Sequence, residues 1–308
     1  MKAYHIPVML DEVIDALALG KGKTVVDATT GGGGHSLAIA KKIPGGTLIC
    51  IDKDQAAIEH SQHVLKKTDS TKVLFIHSDF AEIANVLERL EIKKVDAVLA
   101  DLGVSSHQID TVERGFSYIT DAPLDMRMNR SADLTAYHVV NAYPAERLHA
   151  IIRDYGEERY ARRITESIVK SRPINTTLEL VETCRKAVPG NYYKTGGHPA
   201  KRTFQAIRIE VNNELGTLEK FIRDSVKRLN KGGRIAIISF HSLEDRIVKQ
   251  TFKTLSTDCL CPPRSPMCIC GHKPTLKTLT KKPIEPTQAE NEANPRSHSA
   301  KLRVAERI

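Results

Sequence analysis

The chain has 308 residues, 41% apolar and 27% charged, with a net charge of +9. That length can bury a sizeable core and suggests about two domains; the balance excludes a disordered or fibrous chain. No run approaches the roughly 18 apolar residues of a membrane span, and six cysteines at this length do not make a secreted disulfide scaffold. Met1 to Val8 lacks the apolar core of a signal peptide, so a cytoplasmic protein with no membrane partner is expected. Residues 1–100 carry 12 Lys/Arg against 13 Asp/Glu, whereas residues 101–308 carry 34 against 24. An excess confined to one part favours a polyanionic partner, nucleic acid first, over a merely solubilising surface.

Leu10, Val13, Ile14 and Leu17 mark a leading amphipathic helix, with Asp11 and Glu12 in its first turn. Apolar runs at 24–29, 47–52, 73–77 and 95–101 read as strands of a parallel sheet, with helical spacing between them at 54–67 and 80–90. From about 104 to 230 no convincing strand occurs, and helices are expected around 148–155, 157–170, 176–188 and 200–229. Strand character returns at 234–240; 256–298 reads as a long loop; and Lys301 to Ile308 suits an added antiparallel strand. The expected architecture is α/β, a Rossmann-like sheet spanning 1–104 and 231–308 with an inserted all-helical domain at 105–230.

The first strand ends at Asp27, and Gly31-Gly32-Gly33-Gly34-His35-Ser36 follows, a turn where backbone N–H groups can approach a ligand. The second strand ends at Asp52, the position from which nucleotide folds hold a ribose. Gly31 and Gly33 fit a dinucleotide fingerprint, but its third glycine falls on Ser36, and a carboxylate at Asp27 would repel a pyrophosphate. It suits a ligand bearing an ammonium group and no phosphate, which favours S-adenosylmethionine over a nicotinamide cofactor. Asp101 ends the fourth strand and points toward the ligand side. It could accept the N–H of an exocyclic amine and restore that amine's nucleophilicity, or only cap the following turn.

Several long segments resemble the RsmH (MraW) family: 5–12, 27–36, 101–108, 113–117, 123–128, 155–159, 198–208, 239–246 and 294–296, in order along nearly the whole chain. The resemblance implies a methyltransferase fold and transfer of methyl from S-adenosylmethionine to the N4 amine of a cytidine at position 1402, in the decoding region of 16S ribosomal RNA. It places cofactor contacts on Gly33, Gly34, His35, Asp52, Phe80, Asp101 and Gln108 and makes the helical insert an RNA holder; Asp101 is also the catalytic candidate, from its place at the strand end. The partner implied is 16S rRNA or the small ribosomal subunit; a homodimer stays open. DNA amine methylases carry Pro-Pro-aromatic after this strand to stack the flipped base, whereas Gly103-Val104-Ser105 stands here. Phe116 and Tyr118 are candidates for the clamp or for ordinary core packing. Lys201, Arg202 and Arg208, with Arg159, Arg162 and Arg163, are candidate phosphate contacts or a solvated face. His241-Ser242-Leu243-Glu244-Asp245-Arg246 could position substrate, or cap a helix through Ser242 with Asp245. Cys259, Cys261, Cys268 and Cys270 form two C-x-C pairs. Zinc is open there, but reduced free thiols stand ahead of it, because zinc sites usually space their cysteines more widely. A nicotinamide dehydrogenase, and an RNA-binding assembly factor with a vestigial pocket, are the rival readings.

Overall fold

The computed structural model describes residues 7–68, 70–192, 197–262 and 267–308. His5 and Ile6, which open the first family-like motif, and Pro263 and Pro266, between the cysteine pairs, lie outside the described residues. The chain divides into a sheet unit, Met1–Gly103 with Leu215–Ile308, and a helical unit, Val104–Glu214.

The sheet unit is built on seven strands: β1 Thr24–Asp27, β2 Thr47–Asp52, β3 Lys72–His77, β4 Val95–Asp101, β5 Leu229–Ser239, β6 Leu276–Thr278 and β7 Lys301–Arg307, in the order β3-β2-β1-β4-β5-β7-β6. The first five are mutually parallel; β7 runs antiparallel to β5 and to β6. Pairing Val26 with Ile49 and Val98 sets the C-terminal ends of β1, β2 and β4 at one edge of the sheet. Alternating side chains feed two cores. Val26, Ile49, Ile51, Val98 and Ile237 pack on one face, and Val25, Leu48, Cys50, Leu99 and Ile238 on the other. Burial on both faces explains why these strands read as near-continuous apolar runs. Each fully buried large side chain contributes roughly 1.5–3 kcal/mol of transfer free energy.

The expected helix over 200–229 is two helices, Lys201–Asn212 and Leu218–Arg228. Asn213 takes a left-handed φ of 48°, which stops the first. The second buries Leu218, Phe221, Ile222 and Val226 in the sheet core, so the sheet unit resumes at Leu215 rather than at 231. Strand β5 also begins earlier than expected, at Leu229, with a register shift where Val95 pairs Leu229 and Ala97 pairs Arg234. Gly232, with φ +77°, turns the backbone within that shift. The expected loop over 256–298 holds β6, the helix Gln288–Ala293 and a 3-10 turn, Pro295–Ser299.

In the helical unit, Ser106–Asp110 comes first, and helices Ala136–Ala142, Ala145–Asp154, Ala161–Ser171, Thr177–Ala187 and Lys201–Asn212 enclose a core around Val139, Ile152, Ile164, Leu180 and Ile207. No described helix is long and apolar enough to cross a membrane.

Candidate active site

Past Asp27 the chain keeps the ladder for three residues: Ala28 N–H donates to Leu99 O (2.9 Å) and Thr30 N–H to Ile51 O (3.0 Å). It then turns through the glycines. Gly31 (φ 51°) and Gly33 (φ 79°) sit in the left-handed region, where a side chain would be strained. Gly33 caps the helix Gly34–Lys42, and a Cβ on Gly34 would stand 3.1 Å from the Pro7 side chain. Asp27 is almost completely buried beneath this turn. Ser36 Oγ–H donates to its Oδ2 at 2.6 Å and Thr29 N–H to its Oδ1 at 3.2 Å. Ser36, read from sequence as a missing third glycine, therefore has a positive role as partner of a buried acid.

Asp52, at the tip of β2, braces the turn: Gly31 N–H donates to Oδ2 and Asp54 N–H to Oδ1, both at 2.8 Å. Phe80 begins the 3-10 turn after β3, but its ring packs edge-on against Phe221 at 5.0 Å, so its bulk belongs to the sheet core. Its neighbour Asp79, which the motif reading passed over, caps that turn by accepting from Ala81 N–H at 2.9 Å. Asp101, at the tip of β4, donates its backbone N–H to Thr29 Oγ1 at 2.6 Å, while its carboxylate Oδ1 is buried with no hydrogen-bond partner among the described residues. His35 Nε2 meets Val8 O at 2.9 Å. A carbonyl only accepts, so Nε2 carries a proton there, and Nδ1 faces Asp101 Oδ2 at 3.6 Å.

Three acids thus stand at the C-terminal ends of β1, β2 and β4. Burial pushes the Asp27 and Asp52 carboxyls up to about 6, and the bonds from Ser36 and Thr29, and from Asp54 and Gly31, only partly offset it. Asp101 is raised well above the ordinary range, first by burial and then by the charges of Asp27 and Glu244. Carboxylates crowded and desolvated in this way are relieved by a bound cation. The sulfonium and ammonium groups of S-adenosylmethionine fit that need; a pyrophosphate does not. The unpartnered Oδ1 of Asp101 marks where a hydrogen-bond donor belongs.

Glu244 lies buried in the segment after β5, and its Oε2 accepts from Phe240 N–H at 2.9 Å. The helix Ser242–Ser256 is capped by His241 with Glu244 as the reciprocal partner, one residue earlier than the expected Ser242–Asp245 pairing. Asp245 instead holds the buried Arg303, Oδ1 to Nε at 2.6 Å and Oδ2 to Nη2 at 3.1 Å.

The remaining candidate cofactor and RNA contacts fall in the helical unit. Gln108 is buried and closes a capping box with Ser105, its Oε1 accepting from Ser105 N–H at 3.0 Å. Arg208 donates two bonds to Glu214, of 2.8 and 2.9 Å. Arg202 donates to Glu157 O, and Arg162 pairs with Glu166 across an exposed helix turn. Arg159 and Arg163 lie over the Tyr160 ring at 4.8 and 5.9 Å, and Lys201 is exposed. Tyr118 stacks on His198 at 4.5 Å and meets Phe204 edge-on, while Arg114 lies over Phe116 at 5.9 Å. Both aromatics pack against that unit's core.

Against known proteins, the chain is 55% identical to a Clostridium botulinum (strain Kyoto / Type A2) protein named ribosomal RNA small subunit methyltransferase H, over the full length of both. It is 52% identical to the Clostridioides difficile (strain 630) protein of the same name, again end to end. A Streptococcus mutans protein crystallised in complex with SAH aligns at a TM-score of 0.47 and 12% identity, covering 98% of this chain and 99% of that one. The MraW methylase family model matches residues 2–308, and the chain belongs to that family, the methyltransferases that draw their methyl group from S-adenosylmethionine.

Proposed function

We propose that the chain methylates the N4 amine of a cytidine in 16S ribosomal RNA, at position 1402 of the decoding region. Family membership removes the dehydrogenase reading. The relatives' name supports ribosomal RNA as the substrate, and the basic excess outside residues 1–100 agrees with a polyanion. The observation that carries the amine reading is the buried Asp101 Oδ1 without a partner at the tip of β4.

Gly33 and Gly34 would let backbone N–H groups close on the cofactor, and Asp52 would accept from its ribose hydroxyls. S-adenosylmethionine, when bound, supplies a methyl on a positively charged sulfur. Asp27 and Asp101, drawn into their ionised form by that charge, hold it by attraction. Asp101 Oδ1 accepts one N–H of the cytosine amine, which turns the nitrogen lone pair out of conjugation and toward the methyl. With the donor bound, the amine would take its methyl as the sulfur leaves as a thioether, and would shed one proton to Asp101. His35 Nδ1, 3.6 Å away, is the next acceptor. In the helical unit, Gln108 orders the segment just after Gly103, and Lys201, Arg159 and Arg163 offer charge to phosphates.

Mass spectrometry of small-subunit RNA from cells lacking the protein tests this. The expected result is loss of one methyl from one cytidine, restored by the wild-type chain and not by Asp101→Asn. An unchanged methylation map would refute it.

A further inference from the structure

Four cysteines converge on one loop of the sheet unit, outside the site already described. Cys259, Cys261, Cys268 and Cys270 lie between the helix Ser242–Ser256 and β6, and their sulfurs all fall within 4.8 Å of one another. Cys259 Sγ stands 3.5 Å from Cys268 Sγ and 3.8 Å from Cys270 Sγ, and the last two are 3.6 Å apart. A Zn–S bond is about 2.3 Å, so four thiolates arranged tetrahedrally around zinc stand about 3.8 Å apart. The observed separations match that edge. They are too long for disulfides, which need about 2.05 Å, and all four cysteines are free thiols. In a four-iron cluster each cysteine binds a different iron, which spreads the sulfurs wider than this.

Two further features point the same way. Backbone N–H groups of Cys261, Leu260 and Ile269 donate to the sulfurs of Cys259, Cys270 and Cys261, each at 3.4 Å, the support that thiolate ligands take from their surroundings. Core burial does not explain the convergence either: three of the four cysteines are exposed, and so are Leu260, Met267 and Ile269 beside them. The neighbouring His272 spends Nε2 on Thr254 O at 3.0 Å, which leaves an all-sulfur set.

We propose that Cys259, Cys261, Cys268 and Cys270 bind one zinc ion as a structural, all-thiolate site that staples the loop between the helix Ser242–Ser256 and β6. The short C-x-C spacing, which in the sequence favours free thiols, proves compatible with zinc because each arm turns both of its sulfurs toward one point. On binding, each S–H gives way to a Zn–S bond and its proton goes to solvent.

The test uses the full chain, produced with zinc in the medium and purified under reducing conditions without chelator. Elemental analysis should find about one zinc per chain, and exchange into cobalt(II) should give thiolate-to-metal charge-transfer and tetrahedral d–d bands. Ellman's reagent should react slowly with the four loop thiols until a chelator is added, while buried Cys50 and Cys184 stay silent until denaturation. The double variant C259S/C270S should lose the metal. Zinc well below one per chain with the loop thiols immediately reactive, an iron–sulfide chromophore, or full zinc retention by the double variant would each overturn the assignment. The wild-type stoichiometry and cobalt spectrum stand even if the variant misfolds.

Discussion

Asp27→Asn turns the buried acid under the glycine turn into a measurable pH effect. The Asp27 carboxyl is pushed up from 3.8 to about 6 in the folded chain, so between those values the folded state holds a proton that the unfolded state has released. Wild-type stability therefore falls as pH rises through that window, and the cost is fully present above pH 6. A shift of 6 minus 3.8, or 2.2 units, corresponds to about 3 kcal/mol in total, of which about 2 kcal/mol develops between pH 4.5 and 7.5. Asparagine does not titrate, accepts from Thr29 N–H through its oxygen, and can donate to Ser36 Oγ. The stability of the variant minus that of wild type should rise by about 2 kcal/mol across that range, read by urea unfolding at each pH. Taking the difference cancels the titrating groups that do not feel the Asp27 charge; Asp52, Asp101 and Cys50 do feel it. A flat difference would show that Asp27 is not ionised against its surroundings. Cofactor binding should run the other way. A cationic ligand favours the ionised acid, so wild-type affinity for S-adenosylmethionine should weaken below pH 6 with proton uptake on release, while in Asp27→Asn that dependence is reduced.

Asp101→Asn should lower kcat about 10²–10⁴-fold while leaving the thermal midpoint at pH 7.5 unchanged or higher, because the ionised acid is the costly form there; a turnover within about threefold of wild type would remove Asp101 from the chemistry. Gly33→Ala should cost about 1–2 kcal/mol of stability and weaken cofactor binding, since φ is +79° and the new Cβ would stand 3.3 Å from Ser61 Cβ; a calorimetric affinity equal to wild type would contradict this. Arg303→Met should destabilise by about 3 kcal/mol in urea, because it strands Asp245 without its two-bond partner; a loss under 0.5 kcal/mol, on the order of an exposed pair, would place the Arg303–Asp245 pair among surface ion pairs.

The sheet was legible because strands covered on both faces must be apolar throughout. Thus Val95 to Asp101 and Thr47 to Asp52 announced themselves, and their terminal acids marked the ligand edge. Asp27, Asp52 and Asp101 could be placed because strand ends are visible in the apolar pattern. The break at Asn213 was not, since a left-handed residue inside an otherwise periodic helix leaves no gap in the apolar spacing. Leu218–Arg228 consequently read as part of the insert. The cap at His241 was missed because histidine is not an ordinary capping residue, and nothing local favours it over Ser242. The pairing of Arg208 with Glu214, six residues on, forms around the end of its helix and falls outside the i, i+4 rule by which ion pairs are read from sequence. Phe80 is the subtlest case: its position after β3 was evident, but only packing shows its ring turned onto Phe221.

The most direct measurement of the central claim is a transfer assay with purified chain, isotopically labelled S-adenosylmethionine, and small-subunit RNA offered both naked and assembled, followed by digestion to nucleosides. The label should appear in N4-methylcytidine alone. Label in 5-methylcytidine or in a methylated purine, or none with either form of the RNA, would contradict an amine presented by Asp101.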